Sequence, residues 1–432
     1  MSRKIGFWSV FALVTGSQIG SSVFMAPANL AGYGTFAIWG YILAAVGAMS
    51  LSYVFATLCS HYPTTGGPHV YVNNLFGRVP AFFTGWTYWV ISWVSTTAVI
   101  VTAVGYLAPL LGITDKGTLL ALQLGLLGVI TLINLQGVKM AGNVEFFLTL
   151  LKFVPLIIIP VLGLMAIKAD HFVALPEVTR DLPLSSLLGQ VTLLTLWGFI
   201  GLECATTPAG SVENPSKTIP RAIVLGTLSV AILYILNCVG VMGLVHPGML
   251  KVSQAPYVDA AQILFSGNWH LGIAVIASVV CIGTLNAWIL ASGQIALGLA
   301  QDGFLPHFFA KLNKKDAPQW SILISSLGIA PLLVMTVEDN FADQIRVIID
   351  ISVTAFLFVY LMCCGGYLKL LKNAQSLMKV FVGLVAAGFC LWVVYETPVD
   401  VLLKASVFTL LGLPLFLFWY LPKEKRGTKA LA

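Results

Sequence analysis

The stretch TGSQIGSS, residues 15–22, lies in the middle of an apolar block that covers residues 7–28. Two glycines and five hydrogen-bonding side chains interrupt a segment that is otherwise as apolar as a membrane helix. Glycine weakens a helix, and serine and threonine compete for its backbone hydrogen bonds. Backbone groups released at bilayer depth are tolerated only where they are buried in protein or line a cavity. The stretch therefore predicts a broken membrane helix beside a binding site.

The composition of the whole chain is typical of a protein embedded in a membrane. Of its 432 residues, 58% are apolar and 9% are charged, whereas soluble domains carry about 25% charged residues. Too few polar side chains remain to coat a soluble surface, which excludes a cytosolic enzyme, a disordered scaffold and a secreted disulfide-rich domain. The seven cysteines form no CxxC or Cys/His metal pattern, so we expect thiols packed as small apolar groups and no metal site.

Twelve long apolar blocks follow one another along the chain. Their lengths are near the ~20 residues that a spanning helix needs, whereas a membrane β-barrel would show alternating segments of about 10 residues. We therefore predict an all-α integral membrane protein with about twelve transmembrane helices. The predicted helix cores are 7–28, 37–59, 81–110, 119–135, 146–167, 187–209, 223–244, 271–299, 322–337, 347–371, 380–395 and 401–421.

The basic residues predict the orientation of these helices. With the N-terminus in the cytoplasm, sixteen lysines and arginines fall on the cytoplasmic side and six fall on the opposite side. This distribution satisfies the positive-inside rule and predicts cytoplasmic termini, including a basic tail at 422–432. It also accounts for the net charge of +6 without a nucleic-acid partner. Short loops and the lack of a soluble domain favour a bacterial inner membrane.

The sixth block contains a second interruption, WGFIGLE at residues 197–203, in which two glycines lie beside a carboxylic acid. The first and sixth helices correspond if residues 1–168 and 187–371 form two inverted repeats, with 380–421 adding two more helices. Glycine-interrupted segments at matching positions are typical of inverted-repeat transporters, in which half-helix N-termini face anionic substrate groups. The glycines could instead permit close helix packing. Two polar interruptions at related positions favour a substrate site.

Motifs along nearly the whole chain resemble those of the amino acid–polyamine–organocation superfamily. They are GSSVF at 20–24 with PANLA at 27–31, PTTGGPHVY at 63–71, WGFIGLE at 197–203, VENP at 212–215 with IPRA at 219–222, and QDGFLP at 301–306 with KKDAP at 314–318. Within the superfamily the chain is most similar to the basic amino-acid/polyamine antiporters of the arginine/agmatine type. The resemblance implies a leucine-transporter-like fold with five-plus-five inverted repeats and two additional helices.

The resemblance also implies a set of site residues. Substrate carboxylate and amine are expected at the two helix breaks, and the substrate side chain is expected against the third, eighth and tenth helices. The implied substrate-binding residues are Ser17, Ile19, Gly20, Ser21, Ser22, Thr96, Val99, Trp197, Ile200, Trp288 and Ser352. Glu203 is implied in proton-dependent gating, and Tyr88 is implied as an aromatic gate.

Several of these positions depart from the family pattern. Ser22 replaces a usual glycine, Ser17 and Thr96 replace amides, and Val99 replaces a larger flexible side chain. These changes touch the positions that read the substrate. Separately, the hydroxyls of Ser92, Ser95 and Thr96 share one face of the third helix, which predicts either a cavity wall or close helix packing.

Lys152, inside the fifth helix, is the largest departure from the polyamine exchangers. A charge at bilayer depth costs at least ~2.5 kcal/mol, so such a residue is a functional candidate. Proton-coupled permeases of the same superfamily carry a lysine here, in place of a sodium ion, and the resemblance implies a role in coupling. The alternative is that Lys152 snorkels towards the cytoplasm.

Three other ionisable residues need an interpretation. Glu203 lies beside the sixth-helix break, where a carboxylic acid removed from water suits proton exchange near neutral pH. The alternative is a neutral acid that donates a hydrogen bond to the unwound backbone. Asp350 follows Arg346 at i+4, which predicts a local ion pair. His69 is expected to be a hydrogen-bonded loop histidine.

Two functions agree with these observations, and both are secondary transport rather than catalysis. One is exchange of a cationic amino acid for its decarboxylated amine. The other is proton-coupled uptake by a permease of broader specificity that uses Lys152. No P-loop is present, and a substrate or proton gradient supplies the work, so no cofactor is expected. The expected partners are the amino acid or its amine, protons and the lipid bilayer. The oligomeric state stays open, a homodimer being one candidate arrangement.

Overall fold

The computed structural model describes residues 4–175, 179, 183–253, 256–265, 267–336, 341–372 and 376–421. Within these ranges the chain folds into helices joined by turns and loops, with one isolated β-bridge between Ile5 and Val212. The predicted basic tail at 422–432 lies outside the described residues.

Twelve apolar helical spans, numbered here in chain order, match the twelve predicted blocks one for one. In the described part of the chain, eleven are long and apolar enough to cross a membrane, and the ninth is a shorter apolar helix. The all-α prediction is therefore confirmed. The spans are Phe7–Tyr33, Phe36–His61, Arg78–Leu107, Lys116–Asn134, Val138–Met165, Leu184–Thr206, Pro215–Leu244, Leu271–Gln301, Gln319–Met335, Val347–Leu370, Leu377–Glu396 and Val399–Tyr420.

Short helices join several of the spans. The longest follow the second span and precede the eighth, and the others are single turns. They are Pro68–Phe76, Pro109–Leu111, Ala169–Phe172, Ala209–Ser211, Pro247–Leu250, Pro256–Leu264 and His307–Ala310.

The first span is broken where the glycine- and serine-rich stretch predicts. Its outer halves are the helices Phe7–Gln18 and Ser21–Leu30. Between them Ile19 is extended, with φ −79° and ψ 93°, and Gly20 has φ −133° and ψ −143°. The helical hydrogen-bond ladder is therefore interrupted for one turn.

The sixth span is broken as well. The helix Leu184–Leu196 passes into a single 3₁₀ turn, Trp197–Phe199, and Ile200 is then extended with φ −64° and ψ 132°. Gly201 has φ +106°, a conformation that side chains with a Cβ rarely adopt. A second 3₁₀ turn, Cys204–Thr206, completes the span. The sequence predicts both breaks correctly.

The fifth span shows how polar residues are sorted in this fold. Glu145, Thr149 and Lys152 are spaced i, i+4 and i+7, which places them on one helix face, and all three are buried. The apolar side chains of Phe147 and Leu150 are exposed on the surface of the bundle. A span in a bilayer has this arrangement, because lipid solvates the apolar face and protein must satisfy the polar one.

The boundaries of the fifth helix differ from the prediction. The helix begins at Val138 rather than near residue 146, so about four turns precede Lys152. The earlier start brings Glu145 inside the helix. The first span packs against the fifth, seventh and eighth spans, which places its break at the centre of the bundle.

Candidate functional site

A narrow cavity lies between the two helix breaks. Its empty volume, which includes the opening to solvent, is about 310 Å³. The lining residues come from the first, third, sixth and eighth spans and are Ser17, Gln18, Gly20, Ser21, Ser22, Ser95, Val99, Trp197, Ile200, Thr284 and Trp288.

One end of the cavity is the start of the helix Ser21–Leu30. The first N–H groups of a helix have no partner within it, and they carry the positive end of the helix dipole. Gly20, Ser21 and Ser22 bring these groups to the cavity wall. A Cβ on Gly20 would lie 3.0 Å from the side chain of Thr284, so this approach needs a glycine. The geometry suits a carboxylate.

The four carbonyls released at the end of the first half-helix are all held by side chains of other spans. The backbone carbonyls at the break are therefore hydrogen-bonded, whereas the N–H groups at the start of the next half-helix are available to a ligand. The hydrogen bonds run from Lys152 Nζ to Gly16 O at 2.8 Å, from Trp288 Nε1 to Ser17 O at 3.2 Å, from Tyr234 Oη to Gln18 O at 2.7 Å, and from Thr284 Oγ1 to Ile19 O at 2.6 Å.

A direct contact joins the two breaks. Ser17 Oγ donates to Gly201 O at 2.9 Å. A Cβ on Gly201 would lie 2.9 Å from Ser17 Oγ and 3.1 Å from the ring of Trp288. The two unwound segments therefore touch at Ser17 and Gly201, and a Cβ at Gly201 would crowd this contact.

Glu203 lies behind the cavity, fully buried, where three spans meet. Its Oε1 accepts a hydrogen bond from Tyr88 of the third span at 3.0 Å, and its Oε2 accepts one from Tyr360 of the tenth span at 2.5 Å. Tyr360 Oη also accepts from the backbone N–H of Gly201 at 3.5 Å. Two tyrosine hydroxyls thus bind the carboxyl group, and the backbone N–H groups of Gly201 and Glu203 also face it.

Lys152 points into the break of the first span and its side chain is completely buried. Besides Gly16 O, its Nζ contacts Thr284 Oγ1 at 3.2 Å and Glu145 Oε1 at 3.4 Å. The snorkelling interpretation is therefore wrong. The reason is the earlier start of the fifth helix, which carries Lys152 deeper than its position in the apolar block indicated.

The structure brings most of the predicted substrate-binding residues to the cavity wall. Eight of them line it: Ser17, Gly20, Ser21, Ser22, Val99, Trp197, Ile200 and Trp288. Their role in binding stays a prediction.

Four predicted residues lie off the wall. Ile19 contributes its carbonyl to Thr284, and Tyr88 is buried against Glu203. Thr96 Oγ1 donates to Ser92 O of the same span at 2.7 Å. Ser352 is buried, and its hydroxyl has no hydrogen-bond partner among the described residues. Ser95, which stands between the helices Arg78–Val94 and Thr96–Leu107 of the third span, lines the cavity, whereas Thr96 does not.

Three residues near the site were not among the predicted ones. Gln18 lies inside the stretch that predicts the break, and Thr284 lies one helical turn before Trp288, so both had a signal in the sequence. Glu145 had none, because it was placed outside the fifth helix.

Two further predictions concern the ends of the bundle. The side chain of His69 is fully buried, with Nε2 3.1 Å from Asp302 Oδ2, so this histidine is paired. The predicted ion pair of Asp350 involves the Arg346 side chain, which lies outside the described part of the structure.

The sequence is similar to known transport proteins along almost its entire length. A family model described as amino acid permease matches residues 5–417. The putrescine transporter PotE of Haemophilus influenzae is 29% identical over 426 residues, covering 96% of this chain and 97% of the relative. PotE of Escherichia coli K12 is 29% identical over 425 residues, covering 96% of each chain. The cadaverine/lysine antiporter of Escherichia coli K12 is 28% identical over 400 residues, covering 90% of this chain and 89% of the relative.

Proposed function

This chain belongs to the amino acid permease family, and on that premise we propose that it exchanges a cationic amino acid for its decarboxylated amine. The observation that carries the proposal is the cavity between two broken spans, which presents free backbone donors at one end and tryptophan faces beside it. Relatives named as a putrescine transporter and a cadaverine/lysine antiporter support a cationic amine as cargo. Arginine with agmatine is the pair that the sequence motifs favour, and the relatives' names add lysine with cadaverine as a pair and putrescine as an amine.

The cavity can distinguish the two ends of such a substrate. The carboxylate would meet the N–H groups at Gly20, Ser21 and Ser22, where the helix dipole favours negative charge. The residues that line the described cavity include no Asp or Glu, so the distal cation would rest on Trp288 and on hydroxyl and carbonyl oxygens. A decarboxylated amine leaves the helix N-terminus unoccupied, so it is expected to bind more weakly than the amino acid.

Transport would follow by alternating access. We propose that the first, second, sixth and seventh spans, as halves of two inverted repeats at 1–168 and 187–371, rock against the rest of the bundle. Trp197 would close over the substrate on one side. Glu203 lies where three spans meet, so its protonation would be coupled to the movement of these spans. We place the termini in the cytoplasm of a bacterium, as the basic residues predict.

A second candidate function is proton-coupled uptake of amino acids by a permease of broader specificity. The complete burial of Lys152 at the first break favours it, because a lysine that gains and loses a proton there could couple protons to the movement of the first span. Such a protein would take up substrate into vesicles that contain none.

Counterflow in proteoliposomes separates the two functions. Vesicles loaded with arginine, lysine or ornithine are expected to take up the labelled amino acids and agmatine, cadaverine or putrescine only when substrate is inside. A neutral amino acid serves as the control cargo. Uptake into empty vesicles that follows an imposed pH gradient would contradict the exchange proposal and support the permease.

The hydroxyl that reads the substrate is expected to be that of Ser95 and not that of Thr96. Loss of one neutral hydrogen bond, about 0.5–1.5 kcal/mol, should raise the KM of Ser95→Ala roughly 2- to 10-fold. The matched variant Thr96→Val keeps the shape and removes a hydroxyl that bonds only within its own span, so its KM should stay near that of the wild type. The reverse result would support the assignment of Thr96.

A further inference from the structure

Glu145 and Lys152 form a buried ion pair at the break of the first span. The two side chains are both fully buried, and Lys152 Nζ lies 3.4 Å from Glu145 Oε1. They share one face of the fifth span with Thr149, and this face is turned towards the first and eighth spans. Neither the family match nor the sequence motifs draw attention to Glu145.

The hydrogen bonds around Glu145 are those of an ionised carboxylate. Its Oε1 accepts from Lys152 and from Thr149 Oγ1, the latter at 3.3 Å, and its Oε2 accepts from Asn286 Nδ2 at 2.9 Å. Asn286 is oriented in turn by Asn134, whose Nδ2 donates to Asn286 Oδ1 at 3.0 Å. A protonated carboxyl group would have to donate through one oxygen, and of its three partners only the Thr149 hydroxyl could accept, because the Lys152 ammonium group and the Asn286 amide nitrogen are donors.

The hydrogen bonds around Lys152 are those of an ammonium ion. Its Nζ has three acceptors within reach, the oxygens of Gly16, Thr284 and Glu145. An ammonium group has three N–H donors, whereas a neutral amine has two. Donors and acceptors therefore balance when both members of the pair are charged.

Two glycines make room for the pair. A Cβ on Gly16 would lie 1.8 Å from Glu145 Oε1, and a Cβ on Gly283 would lie 2.5 Å from Lys152 Cε. The first and eighth spans thus close directly over the charged groups. The other titratable groups placed near the pair are the buried thiols of Cys281 and Cys204, which are ordinarily uncharged at neutral pH.

We infer that Glu145 is the fixed counter-ion of Lys152 and keeps it charged throughout transport, so that the pair carries no transported proton. Loss of a proton from the pair would leave a buried carboxylate without a counter-ion, and gain of one would leave a buried ammonium without its partner. Both states are strongly disfavoured for two fully buried side chains. Lys152 then acts as a permanent positive group at the first break within a pair that is neutral overall, and Glu145 is its positioning residue. This inference rests on the proposed exchange, and it weighs against proton-coupled uptake through Lys152.

Proton counting in proteoliposomes tests the inference. With a pH-sensitive dye trapped inside, the number of protons moved per substrate is measured for the wild type and for a double variant, Glu145→Gln with Lys152→Met, which removes both charges together. We expect the same proton count for both proteins and a slower rate in the double variant, because the Gly16 carbonyl loses the hydrogen bond from Lys152. A proton count that falls by one per substrate in the double variant would overturn the inference.

The single variant Glu145→Gln gives the complementary result. Without its counter-ion, Lys152 is expected to exchange its proton, so exchange should become steeply pH-dependent and at least tenfold slower at neutral pH. Glu145→Asp, which keeps the charge, should restore most of the rate. Thr149→Val is the matched control, because it removes one hydrogen bond to Glu145 without changing a charge. A Glu145→Gln variant with the wild-type pH profile would contradict a counter-ion role.

Thermal unfolding of the purified protein tests the charge state of the ion pair without a transport measurement. The melting temperature of Glu145→Gln should rise with pH between about 6 and 9, relative to the double variant, because the unfolded state binds one more proton than the folded state. An identical pH dependence of the two variants would overturn the inference. Since this readout needs no substrate, it stays informative if counterflow finds no cationic amino acid or amine, in which case the proposed function alone fails.

Discussion

Exchange by Glu203→Ala is expected to become independent of pH between about 5 and 8 and to be roughly tenfold slower than in the wild type, or more. An ionised Glu203 accepts from both Tyr88 and Tyr360, whereas a protonated one must donate through one oxygen, so one of the two hydroxyls has to turn. Those tyrosines belong to the third and tenth spans, and Glu203 belongs to the broken sixth. Protonation therefore changes a contact between spans that must move apart. Initial exchange rates over this pH range check the prediction.

The conservative variants make this prediction specific. Glu203→Gln keeps the size of the side chain but cannot ionise, so it should fold like the wild type and still show a flat pH profile. Tyr360→Phe keeps the carboxyl group and should retain a pH-dependent rate. A wild-type pH profile in Glu203→Gln would assign the pH dependence to a group other than Glu203.

The two breaks could be predicted from the sequence because local chemistry determines them. Glycines and hydroxyl side chains weaken a helix wherever they occur, and long apolar blocks mark the spans regardless of what they pack against. The partners of the released carbonyls could not be predicted in this way. Tyr234 and Thr284 reach Gln18 and Ile19 across more than 200 residues of sequence, and only the packing of the spans brings them together.

Two site residues that the sequence did not identify show what sequence patterns cannot indicate. Glu145 was placed outside the fifth helix because it lies in a polar stretch before an apolar block, which is typical of a loop. In the structure the helix includes this stretch, and Glu145 is buried. Thr96 was named as a site residue because the family resemblance implies that position, whereas Ser95 was identified only within a row of hydroxyls that could also pack against another helix. Only the packing of the spans shows that Ser95 lines the cavity and Thr96 does not.

Gly201→Ala is expected to reduce exchange roughly 30-fold or more. A non-glycine residue at φ +106° costs about 1–3 kcal/mol, and the added Cβ would lie 2.9 Å from Ser17 Oγ and 3.1 Å from the Trp288 ring, which adds a cost of about 1–3 kcal/mol for displaced neighbours. The displaced groups include the hydroxyl that joins the two breaks and the ring that faces the cavity. The measurement is the exchange rate per amount of protein in the vesicle, together with the melting temperature.

Gly77→Ala is the matched control, because Gly77 also has a positive φ, +90°, but a Cβ there would meet nothing within 4 Å. This variant carries the backbone strain without the contact at the breaks, so it should lose some thermal stability and keep most of its exchange rate. Equal loss of exchange in the two variants would mean that strain alone explains the effect. Normal exchange by Gly201→Ala would mean that the breaks separate readily during transport, since only a loose contact between Ser17 and Gly201 could accept the additional methyl group.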